Sequence, residues 1–151
     1  MSRRVVFEFS GFSEPVVAEL LEDDAGFADK VWDELDQPAK MWIWHTQSSG
    51  DFFSSKGRPP IEAKFGGSQQ APLGGTAPPL MCDVPVGGIV YSGNTTFSYA
   101  YGHNVTEPIA VKGPIVARAL DPAVLSRAGQ HCLRSHTQTH QLVTVTARRG
   151  E

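Results

Sequence analysis

Short runs of alternating apolar residues, each closed by turn-forming residues, recur along most of this chain. They constrain it to a mainly β fold. In the first run Val5, Phe7 and Phe9 share one face and Glu8 lies on the other. Gly11 to Glu14 supply a turn, and Pro15 to Leu21 read as the returning arm of a hairpin. Lys40 to Thr46 forms a third run, with Trp42 and Trp44 on one face and Met41, Ile43 and His45 on the other. Strands at Val86 to Ser92 and Thr96 to Tyr101 flank a Gly93-Asn94 turn, which is a hairpin signature. Ile115 to Leu120 and Gln141 to Ala147 add two more strands.

Two helical patterns interrupt the strands. Phe27, Val31 and Leu35 recur at a spacing of four, after Asp23 and Asp24 as capping residues and before Pro38 as a stop. Asp121-Pro122 opens a second helix carrying Val124, Leu125, Ala128 and Leu133. From Gln47 to Pro79 glycine, serine and proline dominate, and only Ile61 to Phe65 reads as a strand there. The stretch 47–79 is therefore expected to be one long loop, of the kind that serves as a lid or stays disordered. The total is seven or eight strands, mostly joined as hairpins, with two short helices in one domain, 1–151. Antiparallel strands in that number close into a barrel, which removes exposed edges.

Composition narrows the function classes. A chain of 151 residues with a formal charge of -3 carries no electrostatic footprint for nucleic acid. No apolar run approaches the length of a membrane span. The start, M-S-R-R-V-V-F-E-F-S, lacks the apolar core of a signal peptide, so a cytoplasmic location with Cys82 and Cys132 reduced is expected. The Gly-Gly pairs at 66–67, 74–75 and 87–88 lack the spacing of a phosphate cradle, so no nucleotide cofactor is expected. His131, His136 and His140 are spaced five and four apart without a Cys pair or an H-E-x-x-H motif, and no metal is assigned to them.

The order of these pieces resembles the small bacterial cyclophilin-like proteins, and is similar to the cyclophilin-like part of cucumopine synthase. The resemblance rests on an N-terminal hairpin, a helix beginning L-L-E-D-D-A, a tryptophan strand, V-G-G-I-V-Y, F-S-Y-A-Y-G with a nearby T-E-P, and a helix before T-H-Q-L-V-T-V. It covers most of the chain outside 47–79. It implies a closed, mostly antiparallel cyclophilin-like β-barrel with two short capping helices. The F-H-R and Q-G-G-D motifs of the prolyl isomerases are absent, which counts against that activity. The link to cucumopine synthase implies condensation of an amine with a keto acid and ring closure through an imine.

The candidate site centres on T-F-S-Y-A-Y-G-H-N-V-T-E, Thr96 to Glu107. Phe97, Tyr99 and Tyr101 line one strand face before Gly102 breaks the strand. Together with Trp42, Trp44 and His140 they are candidates for walls around a small-molecule substrate. His103 and Glu107 are the candidate proton-transfer pair, with His45 as a further base. Such a site suits a condensation and cyclisation of the Pictet-Spengler type, or an isomerisation. A non-catalytic module for a small ligand or peptide is the alternative, and homo-oligomerisation is left open.

Overall fold

In a computed structural model of the chain, the described residues are 2–22, 26–46, 49–57, 79–93, 95–105, 107–111 and 113–150. They form a closed barrel of eight strands in the order β1-β2-β7-β5-β6-β4-β3-β8. The strands are β1 (Arg4–Phe9), β2 (Val16–Leu20), β3 (Ala39–Trp44), β4 (Phe52–Gly57), β5 (Gly88–Tyr91), β6 (Phe97–Ala100), β7 (Ile115–Ala119) and β8 (Thr144–Arg149). Every neighbouring pair is antiparallel. Two helices complete the fold, α1 (Phe27–Glu34) and α2 (Pro122–Arg134). No helix among the described residues is long and apolar enough to cross a membrane.

Alternation decides which side chains enter the barrel. Val5, Phe7 and Phe9 of β1 meet Phe53 of β4, Phe97 and Tyr99 of β6, and Met41 of β3 in one buried core. Phe7 packs edge-on against Phe97 and Tyr99, with centroids 5.5 and 5.4 Å apart. Phe53 stacks on Tyr99 at 4.4 Å, within the range where aromatic pairs add to simple burial. A second, smaller cluster covers the outer face of β4, β5 and β6. There Phe52, Val90 and Ala100 pack under Val84 and Val111. The strap over them is an antiparallel ribbon, with Met81 N–H donating to the Ile109 carbonyl and Val111 N–H to that of Pro79.

Because adjacent strands run in opposite directions, β1, β3, β6 and β7 all finish at one end of the barrel. Helix α2 follows β7 and covers that end: Gly129 packs on the ring of Tyr101, just after β6, and His131 reaches the Ser10 carbonyl just after β1. Asp121 caps α2 by accepting from Ala123 N–H at 3.1 Å, with Pro122 next, as the sequence anticipates. Helix α1 covers the other end. Glu34 holds the Tyr91 hydroxyl and the Thr95 amide, and Arg149 at the end of β8 donates to the Trp32 carbonyl.

Three expectations need correction or relocation. The stretch 47–79 contains a strand, β4, central to the barrel and paired with both β3 and β6. Its inward residues beyond Phe53 are only Ser55 and Gly57, so the apolar alternation that marks the other strands is missing. The neighbouring Ile61 to Phe65, and the rest of 58–78, lie outside the described residues, as do Asp23 and Asp24. Helix α1 starts at Phe27 after Gly26, which lies at φ 76° and supplies no side-chain cap.

Candidate active site

His45 is the unusual residue of the interior. It follows β3 on the inward face of Met41 and Ile43 and is 1 % exposed. Its Nδ1 lies 2.6 Å from the Thr46 carbonyl, and its Nε2 lies 2.6 Å from the Tyr101 hydroxyl. A carbonyl only accepts, so Nδ1 carries the proton and Nε2 takes the Tyr101 O–H. Burial lowers the His45 pKa; the Thr46 carbonyl and the Asp51 charge act against that, and His136 adds to it. The imidazole is therefore neutral at pH 7, with its acceptor nitrogen facing a phenol.

Tyr101 is likewise 1 % exposed. Burial first, and then the neighbouring Asp51 charge, push its phenol above the usual 10, so it stays protonated. Its ring is held between β4 and α2: Phe53 lies 5.8 Å away, and a β-carbon added to Gly129 would fall 2.4 Å from the ring. Asp51 belongs to the same end. The β4–β6 register, carried one step past the strands, sets it opposite Tyr101, whose N–H donates to the Asp51 carbonyl at 2.9 Å. Its carboxylate lies against Gly102 and accepts the Asn104 amide at 3.2 Å. Thr46 and Ser49, hydroxyl to hydroxyl at 2.8 Å, bind into the same connection.

The remaining candidates are distributed around this centre. Tyr99 lies deeper, bonded to Ser55 at 2.7 Å, and burial raises its phenol pKa. Phe97 lies deeper still, against Phe7 and Tyr91. His103 is exposed beyond Gly102, and Glu107 is half-buried where its carbonyl accepts the Cys82 amide. No hydrogen bond joins those two side chains among the described residues. Trp42 and Trp44 lie on the outer face of β3, with the Lys56 ammonium 4.6 Å from the Trp44 ring. His140 is exposed at φ 55°, ending a π-helical turn over Ser135–Thr139 that extends α2.

The structure thus brings together His45 and Tyr101, and adds Asp51 and Gly129 to them. Among the described residues no three His, Cys, Asp or Glu side chains are grouped to hold a metal ion. Asp51 falls within the stretch 47–79 that the sequence marks as loop, where no alternation singles it out. Gly129 offered a clearer signal, since a glycine inside an amphipathic helix marks a close approach.

No family model matches the chain, and no curated protein matches it either. Solved structures do, among them one described as "Structure of McbB in complex with tryptophan". The superposition has a TM-score of 0.77 with 22 % identity and covers 97 % of this chain but 45 % of that one. The chain therefore spans less than half the length of the McbB chain. At that identity the likeness is one of fold.

Proposed function

We propose that this barrel is a small-molecule biosynthetic enzyme that joins an amine to a carbonyl compound and closes a ring, in the manner of a Pictet-Spengler reaction. The amine and carbonyl lose water to form an iminium, an electron-rich ring carbon attacks it, and a base then removes the ring proton. The observation that carries this reading is the neutral His45 bonded to a protonated Tyr101 beneath α2. That pair holds one proton acceptor and one donor among aromatic faces suited to a cation. The McbB fold, recorded with tryptophan, supplies a substrate candidate, because an arylethylamine carries both the amine and the electron-rich carbon.

In this scheme Tyr101 donates to the leaving water and His45 accepts the ring proton. His103 and Glu107, on the segment after β6, are the rim groups that exchange protons with solvent. Tryptophan or tryptamine, incubated with a panel of aldehydes and α-keto acids, should give a cyclised product by mass spectrometry. Tyr101→Phe should slow it by roughly 10²–10⁴, the usual contribution of a positioned acid or base. Full turnover by Tyr101→Phe removes the pair from the chemistry, and full turnover by both His103→Ala and Glu107→Ala removes the rim.

A non-catalytic small-ligand module is the second reading. The burial of both His45 and Tyr101 favours it, because a closed pair meets no substrate until α2 or the adjacent loops give way. An arylethylamine that binds and is recovered unchanged with every carbonyl partner selects this reading.

A further inference from the structure

Half of the twelve described carboxylates pair with arginine, and Asp51 is not among them. Glu8, Glu14, Glu19, Glu22, Asp29 and Asp36 each pair with an arginine. Among the described residues Asp51 has no such partner; its carboxylate accepts the Asn104 amide, and a β-carbon added to Gly102 would fall 2.3 Å from it. The loop closure around it does not depend on that side chain. The Asp51 N–H donates to the Asn104 carbonyl at 2.9 Å and its carbonyl accepts from Tyr101 N–H, so the backbone already fastens β4 to the segment after β6. A β-carbon on Gly50 would fall 1.8 Å from the Asn104 carbonyl oxygen, so this approach is a close one.

A half-buried carboxylate with no cationic partner among the described residues is therefore placed beside the His45–Tyr101 pair, at the end of the barrel that α2 covers. The rings of His45 and Phe53 pack on that of Tyr101, whose backbone N–H bonds to the Asp51 carbonyl. A carboxylate backed by aromatic faces is a receptor for an organic cation. We infer that Asp51 is the counter-ion for the charged nitrogen of the substrate, so that the site selects amines over uncharged molecules of the same shape. This rests on the condensation reading above and deepens it: the same contact would hold the ammonium on arrival and the iminium after water leaves.

The test is calorimetric binding of tryptamine and of tryptophol, which carries a hydroxyl where tryptamine has its ammonium. The wild-type protein should prefer tryptamine by about tenfold, the order expected of one charge-assisted contact. Asp51→Asn keeps the shape and the Asn104 contact, and it should bring the two affinities together. Retention of the preference by Asp51→Asn overturns the assignment. Equal binding of both compounds by the wild type overturns it while sparing the reading above. Binding of neither overturns both. Should Asp51→Asn not fold, salt decides on the wild type: raising it from about 0.05 M to about 1 M should weaken tryptamine more than tryptophol, and an equal response rejects the counter-ion.

Discussion

Burying an imidazole is costly unless both nitrogens are satisfied, and His45 meets that condition with one carbonyl and one phenol. The balance is exposed to pH. Folding lowers the His45 pKa below its unfolded value near 6.5, so below that value the unfolded chain binds the proton more readily. The associated stability is complete above pH 6.5 and is lost as pH falls toward the folded pKa. Thermal melts between pH 7.5 and 5 should show a fall that His45→Gln, lacking this titration, reduces; identical slopes would reject His45 as the source. Tyr101→Phe should cost about 1–3 kcal/mol, since it strands the Nε2 acceptor in the interior. Comparison of urea midpoints with the wild type checks this. Period-two alternation groups His45 with Met41 and Ile43, and Tyr101 with Phe97 and Tyr99, and leaves open which face of each strand is inside. It gave no reason to pair residues 56 positions apart across two non-adjacent strands. The two tryptophans show the limit of the same rule: alternation groups Trp42 with Trp44, but it does not say which face of β3 is inside.

Among the elements, α2 carries the tightest constraint. Within an exposed helix, Gly→Ala stabilises by about 1 kcal/mol because it restricts the unfolded chain. At Gly129 the added carbon meets the Tyr101 ring at 2.4 Å, so Gly129→Ala should instead destabilise, by roughly 1–3 kcal/mol, as overpacking does. It should also weaken any ligand binding that depends on the Tyr101 position. A neutral or raised melting temperature for Gly129→Ala would show that α2 rides freely over the ring. Asp121→Ala in the same helix, losing one cap, provides the scale at about 0.5–2 kcal/mol. Strand legibility followed apolar content. β1, β5 and β7 place only apolar residues in the core, such as Val5, Phe7 and Phe9, or Ile89 and Tyr91, whereas β4 presents Phe53, Ser55 and Gly57. Ser55 is tolerated inside because the Tyr99 hydroxyl and the Met41 sulfur satisfy it, a compensation supplied by other strands.

On the scale of the whole molecule, β8 turns a curved sheet into a barrel. It pairs with β1 on one side and β3 on the other, and Val145 stands between Phe9 and Met41 with no exposure. These pairings join the two ends of the chain: Arg148 and Glu8, which bond across them, are 140 positions apart. Bringing such distant residues together costs more loop entropy than closing the local hairpins β1–β2 and β5–β6. Closure by β8 should therefore follow those hairpins in folding, and contacts around Val145 should be largely unformed at the rate-limiting barrier. Val145→Ala deletes buried methyl groups and should cost about 2 kcal/mol. In urea-dependent kinetics nearly all of that loss should appear as faster unfolding, with the refolding rate almost unchanged. A refolding rate that falls in proportion to the lost stability would mean that the barrel closes first and the hairpins settle within it.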